Sequence, residues 1–88
     1  MHLKYTFDFM ELNEWIIAIP VGDNANEFHG VIKLNETSAF IFKLLSKDIT
    51  EEKIVDTLEN EYDAPRTLII EDVRKYIAEF EERGLLVR

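Results

Sequence analysis

Cysteine is absent from this 88-residue chain, which excludes disulfides and thiolate chemistry and suits a reducing cytoplasm. With only three glycines and two prolines beside 47% hydrophobic residues, no disordered or low-complexity segment is expected, and no internal repeat is visible. Long apolar runs are missing too. No stretch approaches the ~20 residues that span a bilayer, and the first residues lack the continuous apolar core of a signal peptide. A soluble, cytoplasmic protein without membrane contact is expected. Basic charge is scarce: ten Lys and Arg stand against eighteen Asp and Glu, and the resulting net charge of −8 repels phosphate backbones and anionic membrane surfaces. A basic partner is easier to accommodate, although the commonest effect of such a balance is to keep a soluble domain dispersed. His2 and His29 are isolated, no metal-ligand spacing surrounds them, and no phosphate-binding glycine loop occurs. Carboxylate pairs such as Glu51-Glu52 and Glu81-Glu82 are adjacent and so diverge on a helix, which argues against an acid/base pair. No cofactor, no metal and no catalytic activity are expected.

What is present fits one small domain over residues 1–88. A chain of this size buries only somewhat above ~60% of its unfolded surface, which leaves little room for an enclosed active site. The most informative stretch runs from Gly30 to Leu45. Val31, Ile32 and Leu34 are β-favouring, Phe40, Ile41, Leu44 and Leu45 recur at helical spacing, and Asn35 between them is a strong N-cap followed by Glu36 at the positive helix end. Upstream, Tyr5, Phe7 and Phe9 alternate with Thr6, Asp8 and Met10 as in a half-buried strand, and Trp15 to Val21 is a second strand. Glu11 to Glu14 is a hairpin turn, Pro20 limits pairing near the second strand's end, Gly22 to Glu27 is a polar loop, and His29 or Gly30 opens the third strand.

Downstream, Thr50 caps a second helix whose buried stripe is Ile54, Val55, Leu58 and Tyr62, and which stops near Asp63-Ala64-Pro65. Pro65 or Thr67 begins a third helix with the stripe Ile69, Val73, Tyr76, Ile77 and Phe80, and Gly84 ends it as a C′ residue. Leu85 to Val87 is an apolar tail expected to pack back on the sheet. The pattern is α+β: a three-stranded antiparallel sheet followed by three helices.

That order, with Pro-Val-Gly at Pro20 to Gly22, Gly-Val-Ile-Lys-Leu-Asn-Glu-Thr at Gly30 to Thr37, Glu-Asp-Val at Glu71 to Val73 and Glu-Arg-Gly-Leu-Leu at Glu82 to Leu86, resembles the PqqD-like family, that of pyrroloquinoline quinone biosynthesis protein D. The likeness covers nearly the whole chain. Ser38 and Phe42 stand where relatives often carry glycine and tryptophan, a change of packing rather than of the expected site. The resemblance implies a winged-helix-like precursor-peptide recognition element, non-catalytic, which captures the leader of a ribosomally made peptide for a modifying enzyme. It further implies that the leader adds as a strand beside the third strand, in the groove between it and the third helix. Relatives serve radical S-adenosylmethionine enzymes or leader proteases, and the sequence does not discriminate between these partners.

Strand addition draws affinity from backbone hydrogen bonds and specificity from pockets for alternate side chains. Ordering about six leader residues costs on the order of 6–12 kcal/mol, while four or five hydrogen bonds return roughly 0.5–1.5 kcal/mol each. Two or three apolar leader side chains, at ~1.5–3 kcal/mol each, must therefore be buried. The expected walls are Val31 and Ile32 on the strand with Ile69, Val73, Tyr76 and Phe80 on the helix; Val73, Ile77 and Phe80 suit a plain core equally. Tyr76 carries a polar tip. Asp72, Glu79 and Arg83 share its shoulder, either to pair with leader charges or as a solvated face. Lys33 either contacts an acidic leader or discourages unwanted edge pairing, the second being favoured. A winged-helix DNA-binding regulator is the main competitor. Its recognition helix should be basic, whereas the third helix has Glu71, Asp72, Glu79, Glu81 and Glu82 against Arg74, Lys75 and Arg83, so no nucleic-acid partner is expected. A structural adaptor whose free edge pairs with another protein, or with a second copy as a homodimer, is the third reading.

Overall fold

The computed structural model describes residues 1–22 and 30–88. The expected loop from residue 23 onward and the choice of His29 as a strand start lie outside the described residues. In chain order the elements are β1 (His2–Leu3), β2 (Thr6–Leu12), β3 (Trp15–Val21), β4 (Ile32–Leu34), α1 (Glu36–Leu44), α2 (Glu51–Glu61), α3 (Arg66–Glu82) and β5 (Leu86–Val87). The architecture is α+β and winged-helix-like, with the antiparallel sheet β2-β3-β4 preceding three helices.

β2 and β3 form a hairpin whose last pair is Leu12↔Trp15, so Asn13 and Glu14 alone make the turn. Asn13 sits at φ 59°, in the left-handed region that Asn tolerates better than most residues. β4 pairs with the other side of β3 through Ile16↔Leu34, Ile17↔Lys33 and Ala18↔Ile32. Beyond Ala18 that side of β3 has no strand partner among the described residues, and there Pro20, which has no amide proton to donate, is tolerated. β4 is consequently short.

The helices begin and end by local chemistry. Asn35 Oδ1 accepts the Ser38 amide at 2.8 Å and Thr50 Oγ1 accepts the Lys53 amide at 3.1 Å, which caps α1 and α2 as their sequences suggest. α3 starts one residue after Pro65, which occupies the N-cap without a side-chain bond. Arg66, unfavourable at the positive end of a helix, is offset by Asp56 at 3.0 Å and Glu59 at 3.3 Å. Hydrogen bonding to Asp56 first, then to Glu59, raises the Arg66 pKa further above its ordinary value. α3 closes in a Schellman motif: the Leu85 amide donates to Phe80 O at 3.0 Å, the Gly84 amide to Glu81 O at 2.9 Å, and Gly84 takes φ 74°. Tyr62 is the extended C-cap of α2 rather than part of its stripe, and it meets Phe40 edge-on at 5.8 Å.

One core joins sheet and helices, with Phe42 of α1 at its centre. Its ring meets Phe7 of β2 at 5.0 Å and Phe80 of α3 at 5.2 Å, both edge-to-face, and Phe9 at 6.0 Å. The C-terminal tail corrects one expectation. It pairs not with the three-stranded sheet but with β1, through His2↔Val87 and Leu3↔Leu86, in a separate two-stranded ribbon. Leu85 is fully buried and the Lys4 amide donates to its carbonyl at 2.7 Å, so the two ends of the chain are fastened together.

Candidate peptide-binding groove

Asn35 positions the site as well as capping α1. Because its Oδ1 is committed to the Ser38 amide, its Nδ2 is turned toward α3, where it donates to the Tyr76 hydroxyl at 3.0 Å. One side chain thus ties the end of β4 to the flank of α3. Between these two elements lies an open cavity of about 250 Å³. Ile32, Lys33 and Leu34 form its strand side, Lys75, Tyr76, Glu79, Phe80 and Arg83 its helix side, and Trp15 and Ser38 complete it. The Lys33 ammonium sits 4.1 Å from the centre of the Trp15 ring. This volume falls below the ~300–1,000 Å³ of ordinary small-molecule pockets, so the cleft suits side chains of a segment laid along it.

β4 ends the strand order β2-β3-β4, so its outer margin is unpaired among the described residues. Open margin and groove are adjacent because Ile32 and Leu34 turn their side chains into the core while Lys33 faces out.

Of the expected site residues, the structure brings Ile32, Lys33, Tyr76 and Phe80 together on the groove. Ile32 and Phe80 are floor, 1% and 3% exposed, whereas Tyr76 is half-buried and Lys33 exposed. Val31, 58% exposed, precedes β4 and does not line the cavity. Ile69 and Val73 are core residues. Asp72 does not join Tyr76. It borders a separate cavity of about 130 Å³ with Ile69, Leu58 and Tyr62. Burial, then the nearby Glu36 charge, raises the Tyr62 phenol pKa above its ordinary 10.0. Sequence reasoning missed Trp15 and Lys75. The register Ile17↔Lys33 makes Trp15 a diagonal neighbour of Lys33, within reach of a long side chain, a relation that only the folded sheet reveals. Among the described residues no group of three or more His, Cys, Asp or Glu could hold a metal ion, and no helix is long and apolar enough to cross a membrane.

An edge strand over a shallow groove walled by the last long helix defines a small winged-helix-like α+β domain with an open docking margin. This chain belongs to the PqqD family: the model of coenzyme PQQ synthesis protein D matches residues 14–86. Two solved structures share the fold. One is TbiB1 in complex with the TbiA(beta) leader peptide, with TM-score 0.74 and 19% identity over 98% of this chain and 94% of that one. The other is a lasso peptide synthetase B1 complexed with the leader peptide, with TM-score 0.71 and 17% identity over 99% of this chain and 96% of that one. No curated protein matches the chain in sequence.

Proposed function

We propose that this protein captures the leader of a ribosomally synthesised precursor peptide by strand addition beside β4 and presents it to a modifying enzyme, with no catalysis of its own. The observation that carries the reading is the unpaired margin of β4 lying directly beside the groove walled by α3. Membership of the PqqD family supports it, as do the leader peptides held by the two structural neighbours. The proposed contact residues are Lys33, Tyr76, Ile32 and Phe80, extended by Trp15 and Arg83; Val31 would contribute from the exposed end of the strand, and Ile69, Val73 and Asp72 only indirectly. The enzyme served is of the radical S-adenosylmethionine type, or a leader protease, as the resemblance to the family implies.

The shortness of β4 sharpens the energetics. A three-residue strand offers a neighbour only about two or three hydrogen bonds, worth roughly 1–4.5 kcal/mol together. That does not offset the ordering of the peptide, at ~1–2 kcal/mol per residue. Apolar anchors in the groove must carry most of the affinity. Nucleic-acid binding is disfavoured: the exposed positions of α3 include Glu71, Asp72, Glu79, Glu81 and Glu82, and Arg74 lies 3.7 Å from Glu51.

The test is calorimetric titration with the leader segment of a ribosomally made precursor peptide, and with the same peptide N-methylated at alternate residues. Methylation in the pairing phase should abolish detectable binding, and methylation in the opposite phase should be tolerated. Equal affinity for all three forms contradicts strand addition. Mass measured against concentration separates a homodimer paired through the same edge, in which case peptide and self-association compete.

A further inference from the structure

We infer that the peptide segment held in the groove is acidic, its carboxylates received along the α3 lip by Lys75 and Arg83 with the Tyr76 hydroxyl as an additional donor; this rests on the peptide-binding reading above. The chain has ten Lys and Arg against eighteen Asp and Glu, so a cavity lined at random would hold more carboxylates than cations. The groove reverses that balance, with Lys33, Lys75 and Arg83 against Glu79 alone. A cavity between α2 and α3 does not: there Glu51 and Glu52 face Arg66 and Arg74.

The groove cations are also free of ion pairs among the described residues, although Lys33 rests 4.1 Å from the centre of the Trp15 ring and Lys75 5.5 Å from that of Tyr76. Arg66 is bonded to Asp56 and Glu59, Arg74 lies beside Glu51, and Arg88 grips Glu81 through two bonds. Arg83 is the remaining arginine, and among the described residues neither it nor Lys33 nor Lys75 forms an ion pair. Positions 75, 79 and 83 share one helix face, which sets Lys75 and Arg83 roughly 12 Å apart with Glu79 between them. Two carboxylates spaced along an extended segment can meet the two cations, and a third opposite Glu79 is repelled.

Tyr76 adds a directed donor. The α1 cap fixes the Asn35 amide so that Nδ2 gives its proton to the Tyr76 oxygen. The phenol then has only its own proton left to place, with no acceptor for it among the described residues. A carboxylate or carbonyl entering the groove supplies one. The chain's overall charge of −8 opposes an acidic peptide, but carboxylates beyond the ~8 Å Debye length of physiological salt are screened, whereas lip cations act at contact. Acidic selectivity here therefore arises locally and against the field of the whole molecule.

A library of short random-sequence peptides selected on the full chain at physiological salt provides the probe, with bound peptides mapped by amide shifts. Peptides mapping to β4 and α3 should be enriched in Asp and Glu, and replacing those acids by Asn and Gln should weaken binding about tenfold. The double variant Lys75→Glu, Arg83→Glu should instead select basic peptides, and Lys75→Gln, Arg83→Gln should erase the preference while circular dichroism reports an unchanged fold. Neutral or basic peptides seated on β4 and α3 of the native chain would overturn this inference and leave the peptide-binding reading standing. Selected peptides that map nowhere near β4 would overturn both. Salt-dependent binding of duplex DNA in the groove would likewise overturn the acidic-peptide assignment.

Discussion

Along α3, Ile69, Val73, Ile77 and Phe80 are all but sealed from solvent, whereas Lys75, Tyr76, Glu79 and Arg83, a part-turn round the same helix, line an open groove. Phe80 belongs to both sets, since it is buried in the core and also forms groove floor. The sealed face packs against Phe42 and the rest of the core, and its chemistry is bulk and shape. The open face holds a half-buried phenol tied to Asn35 and charges that form no ion pair among the described residues, so its chemistry is directional. One helix thus separates a packed face from the proposed recognition face by a rotation about its axis.

The neighbours Tyr76 and Ile77 break that comparison most sharply. Ile77→Ala should cost about 2–5 kcal/mol of folding stability, a large part of the ~4–13 kcal/mol expected for a domain of this size. Any loss of peptide affinity should then follow the folded fraction. Tyr76→Ala should leave the thermal midpoint within a few degrees and weaken peptide binding at least about tenfold, because it removes a wall and a donor rather than core. Thermal denaturation beside peptide titration reads both, and reversed sensitivities would dissolve the distinction.

A smaller effect is expected at Asn35. Asn35→Ala removes the α1 cap and should cost about 0.5–2 kcal/mol. Asn35→Asp keeps an acceptor for the Ser38 amide and so should retain most of that stability, yet it cannot donate to Tyr76. If the bond to Tyr76 sets the groove, the Asp variant should bind peptide more weakly with little change in melting; unchanged affinity would reduce Asn35 to a cap.

The smallest effect lies at the fastened chain ends. Hydrogen bonding to Arg88 lowers the Glu81 pKa below its ordinary 4.5. A carboxylate depressed in the folded state contributes stability that is present above the unfolded value and is lost as pH falls through the folded one. The midpoint difference between native chain and Glu81→Gln should therefore be slight near neutrality and shrink on acidification below about 4.5. A difference that grows in acid would contradict this sign.

The elements legible in the sequence were those fixed by local chemistry. Asn35, Thr50 and Gly84 mark helix ends because caps depend on a few adjacent residues, and the β2–β3 alternation shows directly in Phe7 and Phe9. The ribbon of β1 with β5 was not legible, since a two-residue strand has no period and its partner lies at the far end of the chain. On α3 the apolar stripe located the helix but not which shoulder faces β4. Ile69 therefore reads as a groove wall and Val73 as either wall or core, and both lie in the core, while Asp72 reads as a companion of Tyr76 but borders another cavity. Spacings of three, four and seven residues put Glu79 and Arg83 on the face of Tyr76, and they line the same groove; Asp72 shares that spacing but lies one turn nearer the helix start, beside the other cavity.

Hydrogen exchange at the backbone of β4, with and without bound peptide, tests the central claim most directly. Strand addition predicts that amides on the outer margin of residues 31–34 gain protection, while those already bonded to β3 change little. A peptide that binds while every β4 amide exchanges at its free rate, with new protection on the outer margin of β2 instead, would contradict the account.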